Sequence, residues 1–257
     1  KPSVTRRAVA IWINPSERPP VRIIKESPVL ETDYAQITRL TFEVLPGLES
    51  YALRLRPKTP GPHTPLLAQH GYFGTPEQVV GLTPGANGKD IAYRSMGLRA
   101  ARRGYHVIAP HHPDTYGNPE EGRHETHPGH SDQIWHYGNN RLNRLCLLNG
   151  GSRFGLDMMI SSRAVDLLLD APNIDAPRVG MYGLSRGGEA AVLLPALDTR
   201  IEATVCAAFF NRRLLKLIGP GRLTNYLDWF DESQFLFDFV RWFSDADLVS
   251  LIAPRAF

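Results

Sequence analysis

The second half of the chain contains segments with a helical period of apolar side chains and short continuous apolar runs, and these predict its main elements. Residues 154–171 place apolar side chains three or four positions apart, the period of an amphipathic helix, and Pro172 would end that helix. Short apolar runs at 178–182 and 203–210 are typical of buried strands, with a helix-forming segment at 186–197 between them. This order of strands and helices predicts parallel strands joined by right-handed crossovers.

The N-terminal part of the chain has a different pattern. Residues 35–44 and 51–55 alternate between apolar and polar side chains on either side of a Pro-Gly pair, which indicates an antiparallel hairpin at a sheet edge. Residues 1–35 are rich in proline, so we interpret them as an N-terminal extension packed on the domain, with one short strand at 8–13.

The middle of the chain completes the predicted sheet. Apolar runs at 66–72 and 105–109 predict two buried strands, with a helix between them at 89–103. The polar segment 111–149 and the aromatic-rich segment 211–246 are predicted to be loop or cap insertions, because connections of that length in a compact domain usually serve function. The elements together predict the α/β class, with a mostly parallel central sheet and helices on both faces.

Composition narrows the class of protein without identifying it. With 257 residues, 42% of them apolar and 21% charged, the chain fits one globular domain over residues 1–257. The net charge of +3 is too small to indicate a nucleic acid or a membrane as partner, and no apolar stretch reaches the about 20 residues of a membrane span. Cys146 and Cys206 are too few for a disulfide framework. The compartment and the oligomeric state stay open.

The candidate chemistry lies between the predicted strand at 178–182 and the helix that follows it. Gly183-Leu184-Ser185-Arg186-Gly187 has the pattern Gly-x-Ser-x-Gly, which at a strand-to-helix turn is typical of a nucleophile elbow. The two glycines remove side chains where strand and helix crowd together, and the strained turn exposes the hydroxyl of Ser185. The alternative is a glycine-rich helix start at which Ser185 is only the N-cap.

Several segments in the right order resemble the α/β-hydrolase superfamily. They are 67–72, 104–110, 166–180, 183–188 and 247–255. The resemblance is greatest to acetyl-xylan-esterase-like and dienelactone-hydrolase-like enzymes, and because the latter use a cysteine nucleophile, Ser185 favours the esterase branch. The segment 247–255 resembles the approach to the strand before the catalytic acid, so a strand is predicted to begin at Ile252.

The resemblance implies an α/β-hydrolase fold and a serine esterase that needs no cofactor. Ser185 would attack the ester carbonyl, and the backbone N–H groups of Tyr72 and Arg186 would form the oxyanion hole. Tyr72 follows the turn His70-Gly71 at the end of a predicted strand, where the second donor is expected. A simple strand-ending turn is the alternative for this segment. The expected substrate is a small-molecule ester.

The base that should activate Ser185 is missing from its expected place. All nine histidines precede Ser185, the last being His136, so the order Ser, Asp, His cannot be completed within the chain. We expect the acid and the histidine beyond residue 257, in C-terminal strands and a helix that a truncated chain lacks. Two alternatives stay open: a relative that binds without catalysis, or an upstream histidine that serves as base.

A histidine-rich loop motivates a third type of function. Its members are His111, His112, His124, His127, His130 and His136. The spacing of His124, His127 and His130 would place nitrogen ligands for zinc on one face of a helix, but Pro128-Gly129 argues against a helix there. A polar lid is the better interpretation, so no metal ligand is predicted, and a metal-dependent enzyme stays the lesser alternative.

Two further features concern the substrate. The Arg186 side chain resembles the elbow arginine of glucuronoyl esterases, where it would meet a substrate carboxylate, whereas pairing with Glu189 is the simpler alternative. The aromatic side chains between Tyr226 and Phe243 could line a pocket, although packing within a cap is the more common use of such a cluster.

Overall fold

The computed structural model describes residues 18–72, 74–82, 93–113, 142–175, 178–218, 235–236 and 238–257. The strands are β1 (Ile23–Glu31), β2 (Ala35–Leu45), β3 (Leu48–Pro57), β4 (Pro65–Gln69), β5 (His106–Pro110), β6 (Val179–Leu184) and β7 (Ile201–Ala207). The helices are α1 (Pro76–Val79), α2 (Met96–Ala101), α3 (142–148), α4 (Arg153–Leu169), α5 (Arg186–Leu197), α6 (Arg213–Ile218), α7 (Phe239–Trp242) and α8 (Asp245–Ser250).

One seven-stranded sheet organises these elements in the order β1-β2-β3-β5-β4-β6-β7. The pairs β5–β4, β4–β6 and β6–β7 are parallel, which confirms the parallel strands predicted from the second half of the chain. The pairs β1–β2, β2–β3 and β3–β5 are antiparallel, so the sheet as a whole is mixed. The predicted hairpin is confirmed as β2 and β3, but its place at the sheet edge is wrong, because β1 pairs with β2 and forms the edge.

The first strand comes from the segment interpreted as an N-terminal extension. β1 pairs with β2 along the outer edge of the sheet, and most of its residues are exposed. The register shifts between Pro28 and Leu30, and an edge position tolerates proline because one side of the strand needs no ladder hydrogen bonds. The short strand predicted at 8–13 lies outside the described residues.

Two predicted elements differ in extent. The helix predicted at 89–103 is confined to α2, because Arg94 and Ser95 have φ values of 47° and 50° and a right-handed helix cannot continue through them. Residues 89–92 of that prediction lie outside the described residues. The strand predicted to begin at Ile252 is wrong in its start, since Ile252 lies in a turn and parallel pairing with β7 begins only at Ala256.

Apolar side chains pack on both faces of the sheet. One cluster joins strand residues such as Leu67 and Ile108 to α4 and α5. The other joins Val107 and Ala68 to residues of α1 and α2. Alternate residues of the central strands therefore serve opposite layers, which confirms helices on both faces. Among the helices of the described ranges, none combines the length and apolar character needed to cross a bilayer.

Candidate active site

Ser185 lies at the turn between β6 and α5, with φ of 58° and ψ of −118°. Positive φ is unfavourable for a residue with a Cβ and persists only where the surroundings enforce it. Gly183 and Gly187 allow it here, because a Cβ on Gly183 would overlap the carbonyl oxygen of Gly187, and one on Gly187 would overlap that of Gln69. The predicted strand–turn–helix geometry is confirmed, and the Ser185 side chain does not cap α5.

Two hydrogen bonds hold the backbone of Ser185, whereas its hydroxyl forms none among the described residues. The Ser185 N–H donates to the carbonyl oxygen of Ala207 at 2.9 Å, and the Glu189 N–H donates to the carbonyl oxygen of Ser185 at 3.0 Å. The side chain is half-buried. Within the described ranges, the hydroxyl forms no hydrogen bond. The Ser185 hydroxyl oxygen is therefore available to react with a ligand that binds at this turn.

The turn after β4 lies against the elbow. Gln69 pairs with Gly183 across the parallel ladder, so β4 and β6 end at the same sheet edge. A Cβ on Gly71 would lie 2.8 Å from the carbonyl oxygen of Leu184 and 2.9 Å from the Cβ of Ser185. This close approach requires glycine at residue 71 and places Tyr72 beside the nucleophile. The role of the Tyr72 and Arg186 N–H groups as oxyanion donors stays a prediction.

The Arg186 side chain turns inward. Its guanidinium donates to the Tyr72 hydroxyl at 2.6 Å and to Oδ2 of Asp157 on α4 at 2.7 Å. The guanidinium also lies 4.8 Å from the Tyr72 ring centre and 5.0 Å from that of Phe154, within the range of cation–π contacts. With 1% of Arg186 exposed, the side chain braces the two sides of the site and is not presented to a substrate carboxylate.

Glu189, the alternative partner for Arg186, belongs to a second buried cluster. Arg213 donates to Glu189 at 2.8 Å and to Asp245 at 3.0 Å. Its guanidinium lies 5.3 Å from the Phe209 ring centre and 4.9 Å from that of Phe239. Because Glu189 is on α5 and Asp245 begins α8, this arginine ties the 211–246 insertion to the elbow helix.

The insertion contains both packed and exposed aromatic side chains. Phe239 is buried in the core, whereas 51% of Trp242 is exposed. A surface cavity of about 550 Å³ is bordered by α6, α7 and α8, with Trp242 and Phe243 among its lining residues. The predicted aromatic residues Tyr226, Trp229 and Phe230 lie outside the described residues, so the choice between pocket and packing stays open for them.

The histidines nearest the sheet edge bond to one another and to the main chain. The His112 N–H donates to Nε2 of His70 at 3.2 Å, so Nδ1 of His70 carries the hydrogen and donates to the carbonyl oxygen of Gly71 at 2.9 Å. Nε2 of His112 is 2.9 Å from the Ser161 hydroxyl, which donates to Gln69. One nitrogen of His70 therefore bonds to the turn and the other to His112, so both are engaged within the fold.

Burial keeps the His111 and His112 imidazoles neutral. It is the main cause that lowers the pKa of His111 to about 3 and that of His112 well below its ordinary value. Rings held neutral in this way are suited to hydrogen bonding inside the fold. The other histidines of the predicted loop, His124, His127, His130 and His136, lie outside the described residues. In the described part of the chain, no group of three or more His, Cys, Asp or Glu side chains could hold a metal.

We expect His106, at the start of β5, to make stability pH-dependent. Burial first and Arg54 second lower the pKa of His106 to about 4 in the folded protein. The unfolded chain therefore takes up a proton as the pH falls through about 6.5 while the folded protein does not, and stability is lost between these values. His106→Leu should reduce the loss of unfolding free energy between pH 7.5 and pH 5 by about 2 kcal/mol in urea titrations. An unchanged loss in this variant would contradict the assignment.

Sequence reasoning missed the buried charges that surround the elbow. Asp157 and Arg153 are completely buried, and the Arg153 guanidinium lies 3.6 Å from the Asp157 carboxylate. Both residues lie on α4 among the apolar positions that identified this helix. Charged residues are almost never buried without partners. Their presence at core positions of an amphipathic helix could therefore have indicated a buried ion pair.

The sheet order, the two helical layers and the elbow after β6 together define the α/β-hydrolase fold. Solved structures agree with this class. A putative acetyl xylan esterase from Bacteroides fragilis NCTC 9343 superimposes with a TM-score of 0.76 at 22% identity, covering 98% of this chain and 64% of that one. A glucuronoyl esterase from Solibacter usitatus superimposes with a TM-score of 0.55 at 19% identity, covering 98% of this chain and 71% of that one. At these identities the likeness establishes the fold alone.

Two sequence comparisons cover the same site. The family described as BAAT / Acyl-CoA thioester hydrolase C terminal matches residues 157–212, from Asp157 on α4 through the elbow and β7 to the start of α6. The Bacillus subtilis (strain 168) protein named "Putative hydrolase YtaP" is 26% identical over 207 residues, 77% of this chain and 59% of that protein. The chain thus spans less than two thirds of the length of this relative.

Proposed function

We propose that this protein is a serine hydrolase of carboxylic esters that works through an acyl-enzyme at Ser185. The observation that carries the proposal is the strained backbone of Ser185 between β6 and α5, held by glycines on both sides. Strain of this type is retained where it serves a function, and here it presents an uncommitted hydroxyl beside the turn at Gly71. The esterase and hydrolase names of the relatives support the same reaction class.

The proposed reaction begins with attack of the Ser185 hydroxyl oxygen on the ester carbonyl carbon. The hydroxyl proton passes to a general base, and the carbonyl oxygen becomes an oxyanion. Among the described residues, none forms a hydrogen bond with this hydroxyl and so none is assigned as the base. The N–H groups of Tyr72 and Arg186 would donate to this oxyanion. As the intermediate collapses, the base gives its proton to the leaving oxygen, so the alcohol departs and the acyl group stays on Ser185. Water then loses a proton to the base as it attacks the acyl carbon, and cleavage of the ester bond to Ser185 releases the acid and restores the protonated hydroxyl.

The buried state of Arg186 bears on the substrate. Its guanidinium is engaged by Asp157 and Tyr72, so a charged substrate group would have to displace a buried ion pair to reach it. We therefore favour a small neutral acyl group, such as the acetyl group in the name of the Bacteroides fragilis neighbour, over a substrate held by a carboxylate. The thioester family match covers the elbow as well, so oxygen esters and thioesters are both to be tested.

A fluorophosphonate probe tests the nucleophile. We expect the full-length natural protein to be labelled at one serine, identified as Ser185 by peptide mass spectrometry, and to hydrolyse p-nitrophenyl acetate. A matched acetyl thioester, followed by thiol release, separates the two substrate classes by their kcat/KM values. A folded protein that is neither labelled nor active on either substrate would contradict the proposal and favour a binding protein without catalysis.

A further inference from the structure

Several contacts hold the described residues of the turn between β4 and α1. It contains Gly71, Tyr72 and Gly74, and the Gly74 N–H donates to the carbonyl oxygen of Gly71 at 3.2 Å. Nδ1 of His70 donates to the same carbonyl oxygen at 2.9 Å. The carbonyl side of residue 71 is thus fixed by two donors from within the turn itself.

The N–H side of Gly71 is held by a residue from another segment. The Gly71 N–H donates to the hydroxyl oxygen of Tyr93 at 3.0 Å, and this contact is buried. Only 7% of Tyr93 is exposed, and its ring packs in the apolar layer formed with α1 and α2. The same hydroxyl occupies the space above Gly74, where a Cβ would overlap it. Tyr93 therefore fixes the path of the main chain at both ends of the turn.

This contact matters for the nucleophile because Gly71 touches the elbow. A Cβ on Gly71 would lie 2.9 Å from the Cβ of Ser185 and 3.4 Å from the backbone nitrogen of Arg186. A small rotation of the Gly71 peptide would thus move the turn against the nucleophile or away from it. It would also reorient the next amide along the chain, which belongs to Tyr72.

We propose that Tyr93 is a positioning residue that accepts the Gly71 N–H and, with the two donors to the Gly71 carbonyl, holds the Tyr72 N–H toward the oxyanion formed on Ser185. This inference rests on the proposed function, since it assigns a role within the same reaction. The Gly71 N–H is consumed by Tyr93, so Tyr72 supplies the donor from this turn. The oxyanion forms only in the transition state, so a donor to it stabilises the transition state more than the bound substrate.

Tyr93→Phe removes the hydroxyl and keeps the ring. One hydrogen bond of this type corresponds to about a tenfold change in rate, so kcat for p-nitrophenyl acetate should fall about tenfold while KM stays within about twofold. The affinity for phenylboronic acid, whose oxygen would occupy the oxyanion position, should fall by a similar factor. A purely structural effect would not separate kcat from KM in this way.

Tyr51→Phe is the matched control. It also removes a hydroxyl from a largely buried tyrosine, but its partner is Glu77 at 3.2 Å and not the turn. Thermal stability should fall in both variants, whereas kcat should stay within about twofold of wild type in Tyr51→Phe. An unchanged kcat in folded Tyr93→Phe, or an equal fall of kcat in both variants, would overturn the inference.

Hydrogen exchange separates this inference from the proposed function. The Gly71 amide should exchange about tenfold faster in Tyr93→Phe than in wild type, because its acceptor is gone. A wild-type protein that is inactive and unlabelled would overturn the proposed function. In that case unchanged protection of the Gly71 amide in Tyr93→Phe would also overturn the anchoring role of Tyr93, and faster exchange would support it.

Discussion

Ser185→Ala is expected to lower kcat/KM for p-nitrophenyl acetate by at least about 10⁴-fold in the full-length protein. The variant removes the only oxygen that the elbow presents for attack, and the remaining oxyanion donors cannot form an acyl-enzyme. Folding should be unaffected, because the Ser185 hydroxyl has no hydrogen-bond partner in the described part of the chain. The measurement is initial-rate kinetics with the thermal midpoint recorded for each variant.

Ser250→Ala provides the control for this substitution. Ser250 is exposed on α8 and its hydroxyl donates only to the carbonyl oxygen of Asp247, so its loss should leave kcat/KM within about twofold of wild type. If Ser185→Ala retained a tenth or more of the wild-type kcat/KM, the hydrolysis would have to proceed without Ser185, and the proposed acyl-enzyme would be wrong.

The elbow and the strands on either side of it were predictable because their signals are local. Gly183, Ser185 and Gly187 lie within five consecutive positions, and the apolar runs that frame them have the length of β6 and α5. The turn after β4 was found from a second short pattern. Their proximity could be expected because parallel strands end at the same sheet edge.

Other features of the fold depend on contacts that are distant in sequence. β1 carries charged residues and Pro28, and it forms a strand only because the edge of β2 supplies a partner. The helix predicted at 89–103 is cut short by left-handed Arg94 and Ser95, which no propensity indicates. Contacts with the rest of the fold determined the extent of both elements, since such contacts commonly override the intrinsic secondary-structure propensity of a segment.

The buried charges show the same limit for the site. Arg186 was expected to face a substrate or to pair with Glu189, three residues further along the chain, because local sequence suggests these partners. Asp157 is 29 positions away on α4 and becomes its partner only when α4 packs beside the elbow. Periodicity identified this helix but could not indicate which of its polar side chains would point inward.

Asp157→Asn is expected to lower the free energy of unfolding by about 3 kcal/mol. The Asp157 and Arg186 side chains are both fully buried with 2.7 Å between their charged atoms, and Arg153 lies 3.6 Å from the same carboxylate. The amide retains the shape of the side chain but removes the negative charge, so two buried guanidinium groups lose a common counter-ion. Urea denaturation at pH 7 measures the change.

An Asp→Asn substitution at an exposed ion pair shows how much of the stability change is due to burial of the pair and how much to loss of the charge. Asp238 lies 4.0 Å from Arg241 with both side chains partly in water, and Asp238→Asn should change the unfolding free energy by less than about 0.5 kcal/mol. A change below about 1 kcal/mol in Asp157→Asn would mean that Tyr72 and the ring of Phe154 hold Arg186 without the carboxylate. With the expected change, the ion pair that stabilises α4 against α5 is also the one that fixes Tyr72, so catalysis and stability should weaken together in this variant.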